Sequence, residues 1–227
     1  ATIGPLLVSM VLLFKNQNYK LAYAILAIPA IIAFMILILG VHLYPKPGEL
    51  EIKTTSIVTK GVQKRFWIYI IAVVFIAAGY ADFPLIAFHF KSKALMSDSV
   101  IPIFYAIAMA VDAVAALVFG KIYDRKGINV LLLSVLISCA FAPLVFYGNF
   151  YLALFGMILW GIGMGAQESI LKAEIANMVS TEKRGRAFGT FNAIYGLSWF
   201  AGSALMGIFY DFSIKALVIF SVTTQII

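Results

Sequence analysis

The sequence predicts an all-α, multi-pass integral membrane protein, and three observations predict it: composition, the length of the apolar blocks, and the placement of basic residues between them. Of 227 residues, 63% are hydrophobic and only 12% charged, with a mean hydropathy of +1.01. Soluble domains carry about twice that share of charge. The apolar residues arrive in blocks of about 20, long enough to cross a hydrocarbon core of about 30 Å at about 1.5 Å per helical residue. The net charge of +7 resides in short Lys and Arg clusters between blocks, where topology accounts for it better than nucleic acid does. Cys139 is the single cysteine, so neither a disulfide framework nor a zinc site can be built within the chain.

An apolar stub over residues 1–14 comes first, with no basic n-region before it that would mark a signal peptide. Spans are expected at residues 21–44, 66–90, 100–119, 128–146, 150–178 and 187–209, and a further one begins at Leu217. The last eleven apolar residues are too few to cross a bilayer, and the first residue is Ala1, so the chain reads as a piece of a longer one. Connectors are short except residues 45–65. That stretch holds Pro45, Pro47, Gly48, four lysines and two glutamates, and reads as a polar linker between helical bundles.

Orientation follows from the alternate connectors. One set carries eleven basic residues, Lys46 to Arg65, Lys121 to Lys126 and Lys183 to Arg186, whereas the other carries five: Lys15, Lys20, Lys91, Lys93 and Lys215. By the positive-inside rule the linker and the loops around Asp124 and Lys183 are expected to be cytoplasmic, in a cell (plasma or inner) membrane. A weak internal repeat supports the count: Gly120-x-x-Tyr123-Asp124 and Gly207-x-x-Tyr210-Asp211 lie 87 residues and three spans apart, as in an inverted repeat.

The run Gly120-Lys-Ile-Tyr-Asp124-Arg125-Lys-Gly127 resembles the G-x-x-x-D-R-x-G signature of the major facilitator superfamily, in the copy between helices 8 and 9. The Thr181-Glu-Lys-Arg184-Gly185-Arg186 run is similar to that family's basic loop before helix 11. The resemblance implies that residues 1–44 are the last helices (5 and 6) of an N-terminal bundle, 45–65 the central cytoplasmic linker, and 66–227 a C-terminal bundle with its twelfth helix truncated. It implies secondary active transport of a small solute by alternating access, with the missing N-terminal bundle and the lipid bilayer as partners.

The chemistry of the motif can be stated from its residues. Gly120 permits close helix approach, and Ala116 and Asp112 precede it at steps of four on the same track. Asp124 can bond exposed N–H groups of a neighbouring helix start, or pair with Arg184 or Arg186, while Arg125 stays at the interface. Gly120, Asp124, Arg125, Gly127, Arg184 and Arg186 are therefore read as a cytoplasmic gate, against the plainer reading of a topology-fixing turn, which suits Lys121 and Lys126. Gly4-Pro5 reads as a helix bend, since the glycines of an antiporter motif do not follow it.

Ionisable groups inside spans cost about 2.5–3.5 kcal/mol each on insertion scales and so mark a cavity, a partner or a role. Asp82 sits between Gly79 and Pro84, where the backbone can bend; Asp112 lies nearest the midplane; Glu168 and Lys172 are one turn apart on one face. Asp82, Asp112, Glu168 and Lys172 are the substrate and coupling candidates, with protonation of one acid as the coupling step. The alternatives are self-neutralisation for the Glu168–Lys172 pair and interhelix bonding for Asp112. Glu174 is expected at the membrane interface, as are His42 and His89. The glycines of residues 150–178 and 187–209 permit close packing, and Asn192, Tyr195 and Trp199 share a helix face.

No catalytic constellation or nucleotide-binding motif is present in the sequence, and no cofactor, metal or nucleic acid is expected. The rival readings are a non-transporting receptor or scaffold with the same fold and, further off, a membrane-embedded enzyme. In-span acids outnumber Lys172, which favours a cationic or neutral solute.

Overall fold

A computed structural model describes residues 2–14, 18–43 and 62–227, with the side chains of residues 62, 63 and 182 not described. The described residues form helices and tight turns without a strand: α1 (Ile3–Phe14), α2 (Tyr19–Leu43), α3 (Val62–Gly79), α4 (Phe83–Ser92), α5 (Ile101–Lys126), α6 (Asn129–Ser138), α7 (Phe141–Tyr147), α8 (Phe150–Met178), α9 (Arg184–Phe212) and α10 (Ile214–Ile226). Most of the expected linker, through residue 61, lies outside the described residues, as does Lys15.

Among the described residues six stretches are long and apolar enough to cross a membrane: Tyr19–Leu43, Lys64–Ser92, Ile101–Lys126, Asn129–Tyr147, Phe150–Met178 and Arg184–Phe212. They match the expected six in number and order. Large apolar side chains on their outer faces, such as Leu117 and Phe200 at 77% and 73% exposed, suit hydrocarbon rather than water.

Two spans are broken, each at a proline. Pro84 cannot donate to the ladder, so α3 stops at Gly79 and α4 restarts after Asp82. The carbonyls freed at this break are met from other helices: Gly79 O accepts from Ser221 Oγ (2.6 Å) and Gln225 Nε2 (3.2 Å), and Ala81 O from Trp160 Nε1 (2.9 Å). In an apolar medium such carbonyls must find partners inside the protein. Gly79 also lets α10 in close, because a Cβ there would run into Thr224 and the Ser221 carbonyl. The second break, between α6 and α7, falls at Cys139 and Ala140, where the ring of Pro143 crowds the preceding turn and leaves the Cys139 carbonyl without its helical donor.

α5 and α8 run parallel along a seam of small residues. A Cβ on Gly161 would strike the Ala108 carbonyl; one on Gly165 would strike the Asp112 carbonyl and stand 2.8 Å from Ala116 N. Gly120 faces Ser169, whose Oγ would be 2.8 Å from an added Cβ. The expected track of Asp112, Ala116 and Gly120 is thus the α5 side of this seam. Among the glycines of α9, Gly202 packs on Ala78 of α3, whereas Gly189, Gly196 and Gly207 face open space; only part of the expected close packing is present there.

Two apolar clusters fill the bundle. One gathers Tyr80, Ile86, Phe90, Phe104, Phe141, Met157, Trp160, Met206 and Leu217; the other gathers Tyr69, Ile70, Val73, Tyr123, Leu131, Ile170, Ile175 and Phe191. The first lies toward the end of the molecule carrying Asp98, the second toward the end carrying Asp124. Tight turns join the helices at the Asp98 end: Asn149 Oδ1 accepts from Leu152 N (3.1 Å) to start α8, and Ser213 Oγ from Ala216 N (3.4 Å) to start α10.

One expectation is corrected. The 120–127 motif is expected in a loop following a span that ends at residue 119, but α5 continues through Lys126. Nothing in Lys121–Lys126 breaks a helix, and the turn waits for Gly127, whose φ of 67° and ψ of −157° belong to a region that is almost exclusively glycine's. Asp124 and Arg125 therefore project from the last helical turn. α1 packs against both α2 and α5, while the apolar length of α2 has no buried residue in its most apolar stretch.

Candidate functional site

Half-buried Asp82 and Asp112 and the exposed Glu168 all lie within electrostatic range of Tyr105, a residue that no pattern in the sequence singles out. Asp82 precedes α4 at the helix break, and its neighbour Phe83 stacks on Tyr105 with ring centroids 4.2 Å apart. Asp112 lies seven residues after Tyr105 on α5, two turns along the same face. Glu168 follows Gly165, the position where α8 touches the Asp112 backbone. The Tyr105 hydroxyl lies within electrostatic reach of all three carboxylates, and Asp112 within reach of Glu168. Asp112 Oδ1 is shielded from water and has no hydrogen-bond partner among the described residues.

Tyr105 also begins an aromatic ribbon. It neighbours Trp160 (6.2 Å), which neighbours Tyr80 (5.8 Å), then Trp199 (5.7 Å), Tyr195 (5.6 Å) and Phe191 (5.6 Å). The ribbon crosses α5, α8, the α3–α4 break and α9. Tyr80, wholly buried, is its hub: its hydroxyl donates to the Trp160 carbonyl, and Gly163 leaves room for it. The shared face expected of Asn192, Tyr195 and Trp199 contributes two members to this ribbon, while Asn192 is exposed.

Lys172 is exposed one turn beyond Glu168, and no ion pair joins them among the described residues. Gln167, 1% exposed, has neither its Oε1 nor its Nε2 bonded among the described residues. A glutamine inside an apolar span is the only signal that could have singled it out.

The motif residues at the other end stand apart from this cluster. Asp124, Arg125, Arg184 and Arg186 are all exposed, and no ion pair links Asp124 to Arg184 or Arg186 among the described residues. Arg184 instead donates to the Ala176 carbonyl at the end of α8 (3.1 Å). Beneath them Tyr123 donates to Glu174 and accepts from Asn177 Nδ2 (3.0 Å), fastening the end of α5 to α8. Glu174, expected as an interfacial acid, is thus half-buried and bonded, because the tyrosine before Asp124 points inward.

His89, expected at a span end, lies in the last turn of the Lys64–Ser92 span and is covered there by neighbouring side chains. It is 2% exposed, with Nδ1 3.1 Å from Tyr210 Oη, which in turn lies 2.9 Å from Ser92 Oγ. His42 is exposed. Nearby, in the segment between α4 and α5, Asp98 Oδ2 accepts from Lys91 Nζ (2.7 Å) and Tyr19 Oη (2.6 Å). The Lys91 ammonium, and after it the Tyr19 hydroxyl, hold the Asp98 carboxyl below the usual carboxylate range.

Six helices among the described residues that are long and apolar enough to cross a membrane, one of them broken beside in-span carboxylates, define a multi-pass α-helical membrane protein. Residues 1–203 match the family model of the Major Facilitator Superfamily, and the chain belongs to that family of transporters. It is similar to the uncharacterized protein Rv2265 of Mycobacterium tuberculosis (strain H37Rv) and to the uncharacterized protein Mb2288 of Mycobacterium bovis, 30% identical to each over 232 residues. These alignments take in 100% of this chain and 57% of each relative, so the chain spans little more than half the length of the curated relatives it matches. No solved structure matches.

Proposed function

We propose that the full-length protein moves a small cationic or neutral solute across the membrane by alternating access, coupled to protons. In this reading α1 and α2 close a first bundle, α3–α10 belong to a second, and the solute sits between the bundles. The observation that carries it is the placement of Asp82 at the break in the Lys64–Ser92 span, with the stacked Phe83–Tyr105 pair beside it and Asp112 on α5 presenting an Oδ1 with no bonded partner among the described residues. Acids inside an apolar bundle can bind a cation or exchange a proton, and the stacked Phe83–Tyr105 pair presents π faces to a cation or a flat solute. The half-helix ends and unwound backbone at the break suit a solute site near mid-membrane. Asp124 with Arg125, Arg184 and Arg186 is the gate on the opposite side of that site, at the end taken as cytoplasmic from its excess of Lys and Arg.

The test uses full-length protein in proteoliposomes and a panel of radiolabelled organic cations and neutral solutes. Accumulation driven by an imposed proton gradient is expected, reduced by about tenfold or more in Asp112→Asn and in Glu168→Gln, the scale of losing one charged contact of about 1.4 kcal/mol or more. Uptake that ignores the gradient and is unchanged in both variants removes the coupling. A protein that accumulates nothing from such a panel while folded and inserted removes transport itself, and leaves a receptor or scaffold.

A further inference from the structure

We infer that Tyr19, Lys91 and Asp98, with Ser9 beneath them, form a releasable latch that holds the α1–α2 pair against the segment between α4 and α5. This goes beyond the proposed transport reading in naming the contact that must break at the Asp98 end. Four observations meet at this one place.

First, Asp98 Oδ2 takes both of its bonds from residues distant in sequence or on another helix: Tyr19 at the start of α2 (2.6 Å) and Lys91 at the end of α4 (2.7 Å). Second, Lys91 Nζ stands 5.3 Å from the Tyr19 ring centroid, so each of the three residues touches the other two. Third, Ser9 of α1 donates to the Ser99 carbonyl (2.7 Å); Ser9 and Ser99 are 2% and 8% exposed, so this bond is sealed under the charged triad. Fourth, the Lys91–Asp98 pair is the one ion pair that the structure records between described residues.

The wetness of the triad makes it a latch rather than a weld. The Lys91 and Asp98 side chains are 58% and 17% exposed, so on opening each exchanges a protein partner for water. An apolar contact of the same size would leave its surface bare. Each such bond shifts an open–closed equilibrium by about two- to tenfold, enough to bias two states and too little to freeze one. The segment presenting Asp98 is itself held firmly: α4 ends in a Schellman turn, with Leu95 N bonded to Phe90 O (3.0 Å) and Ala94 N to Lys91 O (3.1 Å). A rigid mount lets loss of the triad translate into separation of the helices instead of loop rearrangement.

The experiment is a distance measurement on full-length protein in lipid nanodiscs, with Cys139→Ser and spin labels at Lys20→Cys and Lys93→Cys, two exposed positions flanking the triad. A predominantly short distance is expected for the parent. Asp98→Asn raises the ratio of long to short distances by about tenfold and Tyr19→Phe by about fivefold, since each weakens a bond to a charged group. Lys91→Gln, removing an exposed pair, raises it by about threefold. The exchange Asp98→Lys with Lys91→Asp returns the ratio toward the parent. A ratio in Asp98→Asn equal to the parent's overturns the latch, and so does an exchange variant as open as Asp98→Asn. Should an Asp98 variant fail to insert, Tyr19→Phe, which keeps the charges and the ring, decides: a ratio equal to the parent's overturns the latch there too.

Discussion

The two ends of the bundle handle charge in opposite ways. At the Asp98 end Lys91 and Asp98 are bonded to each other and to Tyr19, and His89 is buried against Tyr210 and Ser92. At the Asp124 end Asp124, Arg125 and Arg186 point outward, and the bonded groups, Tyr123, Glu174 and Asn177, lie one layer deeper. The same chain closes one end with its own side chains and fastens the other from below while leaving its motif charges facing away. A polar residue near a membrane surface can thus serve either the contact between elements or the integrity of one element. Burial of the partner separates the two cases.

Both ends depend on the seam between α5 and α8. Gly165→Ala would drive a methyl into the Asp112 carbonyl and against Ala116 N, overpacking of about 3 kcal/mol. Thermal stability of the full-length protein in detergent should fall by many degrees, with both ends loosened together. A loss confined to one end would show that α5 and α8 do not move as a unit.

A sharper test uses the two helix ends that carry positive φ. α5 ends on Gly127 (φ 67°, ψ −157°), and α4 is followed by Ala94 (φ 49°). Gly127→Ala is expected to destabilise by about 1–3 kcal/mol, because that backbone region is closed to a Cβ. Ala94→Gly is expected to stabilise by up to about 1 kcal/mol, because it relieves a left-handed alanine at a position where helices usually place glycine. Melting curves of the two variants should move in opposite directions.

The smallest effect is on pH. Asp98 in the latch lies below its ordinary value of about 3.9, so its support for closure is fully present above that value and is lost as pH falls through the lowered one. Lys91 and Tyr19 stay protonated throughout that interval. The gap between the spin-label ratios of Asp98→Asn and the parent should be constant from pH 8 to about 5 and narrow by a few-fold in stronger acid.

The spans are legible in the sequence because apolar length and basic punctuation are local signals, and the break at Gly79–Pro84 because proline acts on its own turn. The end of α5 is not, because a run of charge suggests the close of a helix, whereas Lys121–Lys126 is a sound helical sequence that only Gly127 stops. The three acids are legible as groups that an apolar span does not hold without cause. Tyr105 is not, since an aromatic in an apolar helix is indistinguishable from packing until Phe83 is seen stacked on it. The Tyr19–Asp98 bond joins residues 79 apart, and no periodicity carries information over that distance. His89 is legible as a residue of a span end, and the rings of Phe146 and Tyr210 around it show that this end is covered.

The bend at Gly79 is held from outside its own span. Ser221 and Gln225 grip the Gly79 carbonyl from α10, more than 140 residues further along the chain. Asp82 owes its station to that grip as much as to Pro84. α10 is therefore a splint for the candidate site, and Gln225, which never approaches Tyr105 in sequence or in the aromatic ribbon, belongs among its determinants.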